Sequence, residues 1–203
     1  MSENFHDKLF NGIENLYSEN CNNFCPELKT EIKKDISWMW TDSAANLPER
    51  RNAKYLGCGF WSKEALNVLY NIDWETVKPN GRKTGINYQS LLRHEHVYPR
   101  MNFIRSIDEF FGSRFTSENL YKLRENLEKF FCACVVTRDE NIRLDNIPSE
   151  YINICALTPE NCWSRYRNHN EAHKDKPIEV YKCEWELNGR SWNLVCVSKV
   201  EME

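Results

Sequence analysis

The residues best equipped for chemistry lie between Leu91 and Arg100, in the run Leu-Leu-Arg-His-Glu-His-Val-Tyr-Pro-Arg. Two imidazoles (His94, His96), one carboxylate (Glu95) and two guanidinium groups (Arg93, Arg100) fall within eight residues. The unperturbed pKa of imidazole lies nearest neutral pH, so it serves as base, acid or metal ligand. Arg beside it presents a planar fork to phosphate oxygens. Pro99 then stops regular structure, because its ring fixes φ and removes a donor. These residues make His96, Glu95 and His94 the candidate catalytic groups, with Arg93 and Arg100 as phosphate contacts.

An acidic residue followed by His, a β-branched residue and Pro resembles the first signature of HNH (ββα-metal) nucleases. The resemblance implies that one His takes a proton from water, while a divalent cation stabilises the charge developing on the phosphorane. Glu95 then matches the acidic position and His96 the base. Residues 135–144 (Val-Val-Thr-Arg-Asp-Glu-Asn-Ile-Arg-Leu) read as a strand, a Thr cap and a helical turn. In that order Asn141 matches the final metal ligand, with Glu140 beside it and Arg138 towards phosphate; the helices at 101–131 become an insertion. The implied cofactor is Mg²⁺ or Mn²⁺, with Zn²⁺ or Ni²⁺ as alternatives. The implied substrate is DNA, with RNA as the alternative. Residues 168–174 (Asn-His-Asn-Glu-Ala-His-Lys) also resemble the Asn-His-rich end of HNH cores, roughly 70 residues further on. Segments 57–66, 94–100, 135–140 and 163–166 are similar in order to uncharacterised bacterial and phage proteins with an EHVVPR-type motif. That similarity brings a family and a phage–host setting, but no established activity.

Other chemistries compete. His94 and His96 share one side of any strand, so they suit a metal-independent ribonuclease with one as base and one as acid. Cys155, Cys162, His169 and His173 offer a Cys₂His₂ zinc set, although no CxxC pair occurs. No local sequence marks any of the nine thiols as an activated nucleophile. A non-enzymatic protein that blocks a defence or host complex fits the seven Trp and nine Tyr, since both types are enriched at interaction surfaces.

Composition narrows the field further. The 203 residues suit one domain, and 41% hydrophobic with 13% aromatic residues indicate a packed core. Seven Gly and no GxGxxG or GxxxxGK[ST] argue against a Gly-rich phosphate loop. The net charge of −3 is uneven: residues 82–143 carry net +3, and the motif sits inside that basic segment. An odd count of nine Cys and no apolar stretch after Met1 predict reduced thiols, no structural disulfide and a cytoplasmic location. No apolar run approaches the ~18 residues of a membrane span.

The elements that must position the motif follow from period and punctuation. The predicted class is α+β, mostly helical in the N-terminal and middle parts, with short strands and a C-terminal antiparallel hairpin. A helical part over about 1–75, a core over about 88–145 and a helix plus hairpin over about 158–200 make up one domain. Helical spacing marks 3–18, with Phe5, Leu9 and Ile13 inward, and a helix opened by Pro26 with Leu28, Ile32, Ile36, Met39 and Trp40 inward. Residues 41–55 read as a loop. Ser62 starts a third helix with Ala65, Leu66, Leu69 and Tyr70 inward. Residues 78–87 form a basic loop; 101–111 form a helix stopped by Gly112; Thr116 or Ser117 caps the next one. Residues 132–137 read as a buried strand, and 159–168 as a helix begun by Thr158-Pro159-Glu160. Asn188-Gly189 predicts a two-residue hairpin turn, pairing Leu187 with Arg190, Trp185 with Trp192, Cys183 with Leu194 and Tyr181 with Cys196.

Overall fold

Apolar residues recur with period two in short stretches and with helical period between them, so the chain alternates short strands with amphipathic helices. The computed structural model describes residues 5–17, 24–42, 55–72, 82–83, 86–87, 90–112, 117–148, 150–188 and 191–202. In chain order the elements are α1 (Phe5–Leu16), α2 (Pro26–Thr41), β1 (Phe60–Ser62), α3 (Lys63–Tyr70), β2 (Arg82–Lys83), β3 (Ile86–Asn87) and β4 (Leu92–His96). They continue with α4 (Arg100–Gly112), α5 (Ser117–Phe130), β5 (Ala133–Thr137), α6 (Arg138–Asp145), a 3₁₀ turn (Ile154–Ala156), α7 (Pro159–Cys162), α8 (Ser164–Ala172), β6 (Val180–Asn188) and β7 (Ser191–Lys199). The class is α+β.

The main sheet has the order β4-β5-β1-β6-β7. β1 runs parallel to β5, and every other pair is antiparallel. Strand alternation gives this sheet two different faces. Trp61, Leu92, Ala133, Val135 and Cys183 share one face, where Ala65, Leu66 and Leu69 of α3 cover them. Cys134, Val136 and Val180 share the other, packed with Tyr166 of α8 and Leu144 of α6. The helices α1, α2, α4 and α5 bury Phe10, Ile13, Ile36, Trp40, Phe103, Ile107, Leu123 and Leu127 in the same larger cluster.

Local chemistry explains the helix ends. Ser62 caps α3 by accepting from Ala65 N–H, and Pro26 occupies the first turn of α2, where its missing donor is not needed. Thr137 and Glu140 form a reciprocal capping box at the start of α6. Thr158 and Asn161 do the same for α7.

Several expectations are corrected. The buried face of α2 is rotated towards Lys33, Ser37 and Thr41, leaving Leu28 44% and Met39 36% exposed. The cause is the Lys33 amine, which reaches Asp108 of α4 and Tyr17 and so draws its side of the helix inward. Tyr70 is exposed because it lies about a quarter turn from the centre of the face set by Ala65, Leu66 and Leu69. Within the basic loop at 78–87, Arg82–Lys83 and Ile86–Asn87 pair as short strands; 78–81 and 84–85 lie outside the described residues. The helix expected over 159–168 is two helices, broken at Trp163, whose ring is buried against Phe60 at 5.2 Å. Most of the 41–55 loop, Thr116 and the turn residue Gly189 also lie outside the described residues.

The hairpin forms, but in another register. Asn188 pairs with Ser191, so Trp185 lies opposite Leu194 rather than Trp192, and Leu187 opposite Trp192 rather than Arg190. A two-residue connection with Gly in its first position is as suitable for a hairpin as Asn-Gly. Between the turn and Trp185 the slip is two residues, which keeps the parity of the expected pairs; beyond a bulge it is three, which reverses it. The bulge adds Val195 to β7, after which Cys183 faces Val197 and Tyr181 faces Lys199.

Trp192 also fixes a glycine. Gly57 has φ +83°, and a Cβ there would stand 3.0 Å from Trp192 Cζ2. Gly57→Ala combines left-handed strain with that clash, so it is expected to lower the unfolding free energy by about 1–2 kcal/mol. Urea denaturation followed by Trp fluorescence measures it; an unchanged midpoint would remove the close approach from the account.

Candidate functional site

β4 carries the motif, and its geometry follows from strand parity. In the antiparallel ladder with β5, His94 lies opposite Val135 and His96 opposite Ala133, while Glu95 lies opposite Cys134. Val135 and Ala133 belong to one face of the sheet and Cys134 to the other. The two imidazoles therefore leave the sheet on one side, and the carboxylate between them leaves on the opposite side.

On the imidazole side both rings are buried, His94 at 8% and His96 at 7% exposure. Their centroids are 6.1 Å apart, and Trp38 of α2 lies 5.4 Å from His94 and 5.8 Å from His96. His96 Nε2 is 3.1 Å from Thr41 Oγ1, and Phe131 closes the ring at 5.9 Å. Burial, then the charges of His94 and Arg100, pull the His96 pKa down to about 3, only partly offset by a backbone hydrogen bond with Ser37. His96 is thus a neutral imidazole wedged between helix α2 and the strand. A cavity of about 170 Å³ opens nearby, lined in part by His6, Trp40, Thr41, Phe60, Phe131 and Cys132.

On the other side Glu95 is engaged. Arg165 of α8 forms an ion pair with it and also donates to the His96 carbonyl oxygen at 3.3 Å. The two side chains are only 16% and 11% exposed, so this pair is largely withdrawn from water. Glu95 therefore ties α8 to the edge strand.

The expected metal partners are placed on α6. Glu140 is 2% exposed, and its Oε2 accepts from Ser62 Oγ at 2.6 Å, Thr137 N–H at 2.8 Å and Thr137 Oγ1 at 3.0 Å. One carboxylate thereby joins the capping residues of α3 and α6. Asn141 donates to Asp145 Oδ2 at 2.9 Å, one turn along its own helix. Among the described residues no group of three or more His, Cys, Asp or Glu converges as a metal set. Of the expected trio, Glu95 is held by Arg165 and Glu140 by Ser62 and Thr137, while Asn141 bonds Asp145. Both carboxylates of the trio are thus engaged by partners at least 70 residues away in the chain.

The phosphate candidates stand on three elements. Arg93 is half-buried and donates to the Leu92 carbonyl; Arg100 and Arg138 are exposed at the starts of α4 and α6. The eight described cysteines are free; Cys21 lies outside the described residues. Burial pushes the Cys58 thiol up to about 12 and Cys162 up to about 11, the reverse of nucleophile activation. Among the described residues no helix is long and apolar enough to cross a membrane.

Arg165, Trp38, Thr41 and Ser62 complete these environments, and sequence reasoning did not single out their roles. Arg165 stands 70 residues from its partner, and no local pattern announces such a pair. Ser62 and Thr137 were legible as caps, but their shared carboxylate was not. Comparison with protein-family models, with curated proteins and with solved structures yields no match.

Proposed function

We propose that this chain acts as a binding protein rather than a hydrolase, adding an extended segment of a protein partner along the outer edge of β7. The observation that carries this is the edge strand itself. β7 spans nine residues at one end of the sheet, and the sequence carries no charge from Ser191 to Ser198. Val195 is 55% and Val197 37% exposed, and Cys196 is exposed between them. Monomeric folds protect such an edge with Lys, Pro or a bulge; here a bulge is present, yet it leaves Val195 exposed on the strand. Strand addition draws affinity from main-chain hydrogen bonds and specificity from alternate side chains. A cytoplasmic partner, such as a subunit of a defence or host complex, belongs to the same proposal.

HNH cleavage would need Glu95 and His96 to act on one water or cation, and they stand on opposite faces of the sheet. A metal-independent ribonuclease would need His94 and His96 open to substrate, whereas both are buried.

Two measurements test the proposal. Single- and double-stranded DNA and RNA, incubated with the protein and Mg²⁺, Mn²⁺, Ni²⁺, Zn²⁺ or EDTA, are expected to remain intact. Cleavage that disappears in folded His96→Ala would overturn a purely binding role. A photo-crosslinking residue at position 195, in the cell that makes the protein, is expected to capture one partner that also binds the purified chain. Val195→Lys with Val197→Lys should abolish that binding; undiminished binding would remove β7 as the contact.

A further inference from the structure

The C-terminal end of α8 brings together a second pair of imidazoles, His169 in its last turn and His173 at its C-cap, where φ is −129° and ψ 64°. His169 is fully buried, and its Nε2 has no hydrogen-bond partner. Its tautomer can be deduced from its neighbour. The Asn170 amide is pinned at both ends by one residue: Ile178 N–H donates to Asn170 Oδ1 at 2.7 Å, and Asn170 Nδ2 donates to the Ile178 carbonyl at 3.1 Å. That bond pair fixes Oδ1 as an acceptor. His169 Nδ1, 3.1 Å from the same Oδ1, must then carry the ring proton and donate it. Nε2 is left as a bare lone pair.

An imidazole anchored through one N–H to an oxygen, with the other nitrogen bare, is the arrangement that prepares histidine for a metal. His173 supplies the second ring. Its centroid lies 4.8 Å from that of His169, with the planes at 38°. Two imidazoles sharing one ion at Zn–N distances of about 2.0–2.1 Å place their centroids roughly 5 Å apart. His173 is exposed, so its ring has room to turn towards an incoming ion. The helix C-terminus adds the negative end of its dipole. The charged groups acting on His169 are Arg143 and Glu140 from α6, one opposing a cation and one favouring it, together with His173. Burial, the largest influence, lowers the His169 pKa and keeps its lone pair unprotonated at neutral pH.

We infer that His169 and His173 form a two-imidazole site for a borderline divalent transition ion, Zn²⁺ or Ni²⁺, with water completing the coordination. Imidazole ligands favour these ions over Mg²⁺ or Ca²⁺. Among the described residues no third His, Cys, Asp or Glu joins the pair, so the ion would be exchangeable rather than locked. The site uses neither Glu95 nor Asn141 as a ligand, and does not depend on the proposed role of β7.

Zn²⁺ titration of the full chain at pH 7.5, followed by calorimetry and by histidine-ring ¹⁵N NMR, tests the site. One equivalent is expected, shifting His169 Nε2 while Nδ1 keeps its proton. His173→Ala, at an exposed position, should fold normally and weaken binding by at least about tenfold, since loss of even an outer-shell partner costs a metal site 10–100-fold. Co²⁺ should give visible bands without thiolate charge transfer. Absence of binding, equal binding by His173→Ala, or a thiolate band would each overturn the inference.

Discussion

Arg165→Met is expected to lower the unfolding free energy by about 3 kcal/mol or more, because it strands the Glu95 carboxylate in a site largely withdrawn from water. Water does not reach the pair freely, as the two side chains are 16% and 11% exposed, so the remaining charge cannot recover its hydration. The Arg also supports the His96 carbonyl, and that bond disappears with it. Removing both charges removes the penalty: Glu95→Leu with Arg165→Met should return close to the parent stability, because an apolar pair of similar volume is often neutral or better. Urea denaturation of the parent, both single variants and the double variant gives the coupling directly. Additive losses would mean that the two residues do not act as a pair, and that Glu95 is available for another role.

Acid should unfold the protein through His96 earlier than through its surface carboxylates. The folded-state pKa is held at about 3, first by burial, against 6.5 for a free imidazole. Between those values the unfolded chain binds the proton and the folded chain does not, so stability rises with pH. The contribution is fully present above pH 6.5 and is lost progressively as pH falls towards 3. At about 1.4 kcal/mol per unit the whole span is on the order of 5 kcal/mol. His96→Gln cannot take up that proton, so its stability should fall less steeply over the same range. Parallel curves for the two proteins from pH 6.5 down to 4 would show that His96 is not the group being titrated.

Much of the frame was legible because it rests on local signals. Pro26, Ser62, Gly112 and Thr158 mark helix ends by the chemistry of a few neighbouring atoms, and the elements begin or end where they stand. The alternation that sends Glu95 away from His94 and His96 was also present in the sequence, since a strand admits no other arrangement. What misled was the short motif, which placed adjacent residues in one site although adjacent strand residues face apart. The remainder depended on distant partners. The Lys33 link to Asp108 rotates α2, Arg165 occupies Glu95, and Ser62 occupies Glu140; each pair spans at least 70 residues. The hairpin register differs by two residues from the one that Asn-Gly predicts, and the bulge at Val195 shifts it again.

The three residues of β1 occupy the middle of the main sheet, hydrogen-bonded on one side to β5 and on the other to β6. During synthesis β1, β4 and β5 emerge well before β6. For that interval Trp61, fully buried in the finished molecule, stands beside an open ladder. The nascent chain thus carries a sticky edge at its centre until Val180 to Ser198 have left the ribosome and docked. Unpaired edges of that kind recruit foreign strands. A chain interrupted between Thr137 and Val180 would therefore keep that edge open and is expected to aggregate, and the late hairpin is the step that closes it.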